Sequence, residues 1–135
     1  MPALVKDRLY KRRQGLEFAA PVAAGAICFE GGIVCLSAAG YAVPGATLAT
    51  LRAVGIAQKR ADNTGGGNGA VTVPYERGTF NFANDPADPV TPADIGATVF
   101  MTDDNTVSRT NPGGNTKSAA GLLLDVDANA AWVKI

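Results

Sequence analysis

The chain has 135 residues, with 12 Lys and Arg balancing 12 Asp and Glu, no His, two Cys, 16 Gly and 8 Pro. That is the size of one ordinary domain, too apolar at 47% for a disordered chain and without the roughly 20 uninterrupted apolar residues of a membrane-spanning helix. The missing His removes the commonest general base and metal ligand, and two Cys cannot make a four-ligand zinc site, so composition argues against hydrolases and metal centres and favours a soluble domain.

Residues 1–13 carry Lys6, Arg8, Lys11, Arg12 and Arg13 against Asp7, a net charge of +4 that the other 122 residues cancel with −4. Such an asymmetry marks a tail with a partner of opposite sign. Leu4, Val5, Leu9 and Tyr10 are interleaved with the cations, so residues 1–15 read as an extended basic arm. Its apolar side chains would lie on a protein surface while Lys11, Arg12 and Arg13 meet carboxylates. Nucleic acid is the weaker target, because five cations are few and the rest of the chain is acidic. The apolar run from Phe18 to Phe29 has the look of a secretory leader, but Pro21, Gly25 and Glu30 break it.

From residue 16 onward, Gly and Pro interrupt every window long enough to test for a helix, and short β-branched or aromatic runs take its place. Strands are predicted at 26–29, 33–36, 53–57, 70–73, 79–82, 99–102, 122–126 and 131–135, the spacing of an all-β body over residues 16–135 built as a small β-sandwich or barrel. Ile27 to Leu36 reads as a hairpin turning at Gly31-Gly32, with Cys28 facing Cys35 at about 5.5 Å between Cα atoms. That distance would admit a disulfide, but the register does not prescribe the orientation; free, partly buried thiols packing as small apolar groups are the preferred reading. Without His, neither thiol has its standard activating partner.

Residues 62–69 and 110–118 read as flexible polar surface loops. Neither is a phosphate loop, since the first lacks the Gly-Lys-Ser/Thr ending and the second the leading glycine. Pro86, Pro89 and Pro92 stiffen residues 84–94 into an extended connection that reads as the join between two halves. A weak internal echo supports two related β-units: residues 22–26 resemble 91–97, Val54-Gly-Ile-Ala57 resembles Ala120-Gly-Leu-Leu123, and Asn68-Gly-Ala-Val71 resembles Asn129-Ala-Ala-Trp132, at offsets of 71, 66 and 61 residues. Asp103-Asp104 and the pair Asp125 and Asp127 are the densest carboxylates, yet neither lies in a 12-residue calcium loop and both sit where Asp supports turns. Trp132 reads as packing on one face of the last strand. No catalytic, cofactor-binding or metal-binding residue is assigned.

The order of elements carries a resemblance. Pro21-Val-Ala-Ala-Gly-Ala-Ile-Cys-Phe29, the Gly31-Gly32 turn, Ala53-Val-Gly-Ile-Ala57, Tyr75-Glu-Arg-Gly-Thr-Phe-Asn-Phe82, Gly96-Ala-Thr-Val-Phe-Met-Thr-Asp103 and Ala120-Gly-Leu-Leu-Leu-Asp-Val126 resemble the small capsid cement, or decoration, proteins of tailed bacteriophages, a group long described only as a domain of unknown function beside phage head genes. The resemblance spans roughly residues 16 to 135; the basic arm and the glycine-rich stretch at 62–69 depart from it. It implies a β-rich body, commonly a homotrimer, made in the bacterial host cytoplasm. The body would sit on the outer surface of the virion capsid and bind across neighbouring major capsid protein subunits, with no role for nucleic acid, membrane or cofactor. The arm residues Leu4, Val5, Leu9, Tyr10, Lys11, Arg12 and Arg13 are then the expected capsid contacts. Two other readings stay open: a tail or fibre-base component, and a carbohydrate- or cation-binding β module suggested by Trp132, Tyr41, Tyr75 and the aspartates.

Overall fold

Alternating apolar side chains bounded by glycine, proline and Asx turns build short strands, and the computed structural model, which describes residues 3, 5, 6, 8, 9, 15–111, 115–128 and 130–135, contains almost nothing else. Among the described residues the strands run β1 Glu17–Pro21, β2 Ile27–Cys28, β3 Ile33–Leu36, β4 Ala42–Pro44, β5 Arg52–Ala57, β6 Ala61–Asp62, β7 Thr72–Glu76, β8 Thr79–Asn84, β9 Thr98–Met101, β10 Thr106–Ser108, β11 Ala119–Val126 and β12 Ala131–Lys134. A single 3-10 turn at Pro92–Asp94 is closed by Asp94, whose carboxylate accepts the Thr91 backbone N–H at 2.8 Å. The expectation of an all-β body with a small barrel holds.

Strands β8 to β12 close into a barrel in the order β10-β8-β12-β11-β9, with β10 and β8 parallel and every other pair antiparallel. The first half repeats this plan. Its sheet runs β1-β7-β5-β3-β4, and a parallel bridge between Val22, just past β1, and Ala42 of β4 brings the two edges together. Replacing β1, β3, β4, β5 and β7 by β8, β9, β10, β11 and β12 converts one set of pairings into the other, including the one parallel contact.

The registers agree residue by residue. Val34 lies opposite Gly55 and Cys35 opposite Ala53, leaving Val54 as an extra residue in β5; Val99 lies opposite Gly121 and Phe100 opposite Ala119, leaving Ala120 as the same bulge in β11. Glu17 faces Glu76 as Thr79 faces Lys134. Arg77 N–H donates to the Leu16 carbonyl as Ile135 N–H donates to that of Gly78. One of the three sequence echoes therefore marks equivalent positions, since Gly55 and Gly121 occupy the same place after the bulge. The first is shifted: Gly96, whose N–H donates to the Leu123 carbonyl, matches not Gly25 but Gly31, whose N–H donates to the Ala57 carbonyl, and both have positive φ (92° and 81°). The third is out of step, because the ladders relate Glu76 to Lys134 at 58 residues rather than 61.

The join between the units is Arg77-Gly78, not residues 84–94. That proline-bearing stretch belongs to the second unit, where it leads from β8 to β9 and is pinned by Asn84, whose amide pairs with both the N–H and the carbonyl of buried Val90. The Gly31-Gly32 hairpin is also overturned. Gly31 does take positive φ and Gly32 N–H does bond the Phe29 carbonyl at 3.0 Å, but the chain turns out of plane, so β2 pairs with β6 while β3 pairs with β4 and β5. Residues 27–28 had a better partner than residues 34–35, because Ile33 to Leu36 is covered on both faces and its two edges are already used.

Two apolar clusters result. Val34, Leu36, Ala42, Val54, Ala57, Val73 and Tyr75 fill the first barrel, whose far end is covered by Cys28 of β2 and Ala61 of β6. Phe82, Val99, Met101, Val107, Ala120, Leu123, Ala131 and Val133 fill the second. Ile33 and Cys35, pointing out of the first barrel, join the second cluster together with Val43, Leu51, Ala53 and Ile56. The outer face of β3, β4 and β5 thus caps the end of the second barrel where Phe80, Met101 and Ile135 lie, and Cys35 Sγ meets Met101 Sδ at 3.4 Å.

The glycines after the bulges test this equivalence. A Cβ on Gly55 would stand 2.2 Å from the Glu76 carbonyl oxygen, and one on Gly121 2.2 Å from that of Lys134. Gly55→Ala and Gly121→Ala are each expected to destabilise the protein by about 1–3 kcal/mol, whereas Gly67→Ala, whose Cβ would meet nothing within 4 Å, should be close to neutral. Urea unfolding of the three variants checks this.

Candidate partner-binding surface

The expected arm contacts divide. Leu4, Tyr10, Lys11, Arg12 and Arg13 lie outside the described residues. Val5 and Leu9 are described, and both are fully exposed at 96% and 101%. They belong to a segment that meets the body at Leu16, whose carbonyl accepts the Arg77 N–H at 2.7 Å. The segment therefore departs from the start of β1, at the end of the first barrel that corresponds to the capped end of the second. A cavity of ≈ 330 Å³ opens there, lined by Phe18, Ala53, Val54, Tyr75 and Arg77, with the Phe18 ring stacked on Tyr75 at 5.9 Å between centroids.

The second barrel also has exposed apolar side chains. Leu122, Leu124 and Trp132 stand on the outer surface of β11 and β12 while Ala120, Leu123, Ala131 and Val133 point in. The Trp132 indole N–H donates to Asp127 at 3.0 Å. Tyr75 lies on β7 and Trp132 on β12, in different sheets, and Tyr41 lies in the connection before β4. Asp103 and Asp125 accept nearby backbone N–H groups, at Asn105 and Val126 respectively, as turn-supporting aspartates do. Burial, and then the charge of Asp103, raises the Asp104 carboxyl above its ordinary range. Among the described residues no three His, Cys, Asp or Glu side chains are grouped to hold a metal ion.

Each polar stretch sends one side chain inward, against the expectation of plain surface loops. Asn63, 2% exposed, donates its side-chain N–H groups to the carbonyls of Val22, Ala23 and Gly67, and its own backbone pairs with Ala26 and Gly25. Glycine is required beside it, since a Cβ on Gly66 would stand 2.1 Å from the Asn63 side-chain oxygen. Residues 62–69 are fastened to the body through Asn63; Gly66 serves close approach, while Gly65 and Gly69 take positive φ (75° and 78°).

In the 110–118 stretch Lys117 turns inward. Its ammonium donates to Ser108 Oγ at 2.8 Å and Thr102 Oγ1 at 3.1 Å and lies 3.8 Å from Asp85, which Thr102 also bonds at 2.8 Å. The Thr102 hydroxyl, then the Ala87 N–H, hold the Asp85 carboxyl below its ordinary range. A serine touching a lysine invites a nucleophilic reading, but Ser108 is fully buried, and the Lys117 ammonium is shared with the Asp85 carboxylate 3.8 Å away. The cluster fastens β8, β9, β10 and the approach to β11 together. Sequence reasoning had no signal for it, because its four members lie 32 residues apart at the extremes and none is unusual in type.

Cys28 and Cys35 are free, buried and in different clusters. Their opposed placement follows from the lost hairpin, since β2 leaves β3 and the thiols point to different barrels. Among the described residues no helix is long and apolar enough to cross a membrane. The chain matches no family model, and no curated protein or solved structure shows significant similarity to it.

Two outcomes follow. Lys117→Ala should destabilise the fold by about 1–3 kcal/mol, because it leaves buried Ser108 and Thr102 without a donor; thermal unfolding measures it. Burial pushes the Cys28 thiol up to about 11 and the Cys35 thiol up to about 12, from an ordinary 9.0. Unfolded thiols ionise first as pH rises, so this contribution to stability is complete below pH 9 and declines as pH climbs toward 11 and 12. The urea midpoint should fall over that window, and fall less in a Cys28→Ala, Cys35→Ala double variant.

Proposed function

We propose that the protein is a structural component of a phage virion that decorates the outer surface of the capsid and stabilises it by binding across neighbouring major capsid protein subunits. The observation that carries this reading is the leading segment: Val5 and Leu9 present their whole side chains to solvent beside the cations Lys6 and Arg8, on a body whose own strands are paired into barrels. Apolar side chains at full exposure gain by burial only against something outside the molecule, at about 25 cal/mol for each Å² covered. The order of strand motifs, which resembles that of phage cement proteins, supports the same partner.

Stabilisation of a shell requires no chemistry. A ligand that binds the assembled state better than the separated subunits shifts the equilibrium toward assembly by mass action. Leu4, Val5, Leu9 and Tyr10 would supply apolar anchors and Lys11, Arg12 and Arg13 would meet capsid carboxylates, with the extended segment adding to a capsid sheet edge. The barrels would then serve as the rigid mass that holds several such segments at fixed spacing.

Deletion of residues 2–13 is expected to leave a folded body with an unchanged melting temperature that no longer decorates capsids, read as particle occupancy by electron microscopy. Binding of the full chain to shells should weaken as salt is raised, because screening removes the contribution of the arm cations. Undiminished occupancy by the truncated chain would overturn the reading.

A further inference from the structure

The two barrels have the same plan but unequal surroundings. The end of the second barrel at Phe80, Met101 and Ile135 is capped by the outward residues of β3, β4 and β5, with Ile33 and Cys35 almost wholly buried there. The corresponding end of the first barrel, at Phe18, Val54, Tyr75 and Arg77, holds the ≈ 330 Å³ cavity. Among the described residues, no element does for it what β3, β4 and β5 do for the second.

The opposite imbalance appears on the outer faces. By the matched registers, Ile33, Cys35, Ala53 and Ile56 correspond to Thr98, Phe100, Ala119 and Leu122. The first four are buried or half-buried against the second barrel, while Thr98 and Ala119 are exposed, Leu122 is 39% exposed and Phe100 keeps part of its ring in solvent as a half-buried residue. Among the described residues, one copy of the chain therefore has one interface made within it, plus one unused half of each kind: a barrel end without its cap and a capping face without its barrel end.

We infer that copies of this chain associate head to tail, the outer face of β9 and β11 in one copy seating on the open end of the first barrel in the next. The contact repeats between chains the interface that joins the two barrels within a chain, with Phe100 and Leu122 in the places of Cys35 and Ile56. It is heterologous, since each copy offers a different surface to each neighbour; whether the array closes into a ring depends on the rotation between copies. The occupant is a second copy because the surface to be covered and the surface that covers it are equivalents of a pair already fitted to each other. The capsid reading is not needed for this inference.

Sedimentation equilibrium of the full chain should show a mass that is a multiple of 13.8 kDa. Leu122→Asp, on an exposed side chain, should keep its melting temperature and weaken association at least ~10-fold. Phe18→Asp, at the open end, should do the same; if it fails to fold, Arg77→Asp on the exposed rim replaces it. The decisive experiment mixes the two variants. Each keeps one good surface, so together they should form a one-to-one dimer that neither forms alone and that grows no further. A chain that is monomeric at millimolar concentration, association undisturbed by Leu122→Asp, or folded variants that fail to complement would each overturn the proposal.

Discussion

Everything in this fold depends on how closely β5 approaches β7 and β11 approaches β12. Five strands make a narrow barrel, and closing it needs strong local coiling, which the bulges at Val54 and Ala120 provide. The residue after each bulge is then driven against the neighbouring backbone, within 2.2 Å of a carbonyl oxygen had it a Cβ. Only glycine fits. Gly55 and Gly121 are the condition on which closure rests, and they recur at matching places because both units meet the same geometric demand.

The interior shows what a narrow barrel does with that space. Ala20 pairs with Val73 in the first unit, whereas at the equivalent place Phe82 pairs with Ala131 in the second. Bulk is exchanged across the pair rather than added on both sides, as filling a fixed volume requires. Where a large side chain already fills the place opposite, as Val73 does for Ala20 and Phe82 for Ala131, alanine takes the little room left.

These exchanges also explain what could be read from the sequence. The strands at 33–36, 53–57, 79–82, 122–126 and 131–135 were legible because each combines alternation with flanking turn residues. β1 was hidden in a run that mimics a leader, and β4, β6 and β10 are too short for periodicity to show. The duplication was visible only where a backbone constraint fixes the residue type, at Gly55 with Gly121; the other such pair, Gly31 with Gly96, was hidden by the glycine at 25, which has positive φ as well. Packing positions carry no identity. The hairpin at Gly31-Gly32 misled because a turn's residues specify its local geometry and not which strands it joins. Asn63 and Lys117 looked like loop residues, and no local pattern distinguishes a polar side chain that turns inward from one that meets solvent. Of the candidate contacts, the basic run was legible from charge alone. The unmatched barrel end and capping face were not, because they exist only once the two units are superposed.

A duplicated unit that stacks end on face leaves an unsatisfied surface at each extremity, and natural proteins deal with such ends by capping them with polar residues or by using them. Here the terminal face carries Leu122 beside Leu124 and Trp132 on the same outer surface, and the terminal barrel end carries Phe18, Val54 and Tyr75. Polar residues stand beside these apolar groups, Thr98 on the face and Arg77 at the barrel end, without covering them. The leading segment departs from that same barrel end, so any contact made there also fixes where the arm begins. Rigid repetition of one interface would then space the arms at a constant interval, and regular spacing lets several weak segments engage a repeating lattice together, since each additional attachment becomes intramolecular once the first has formed.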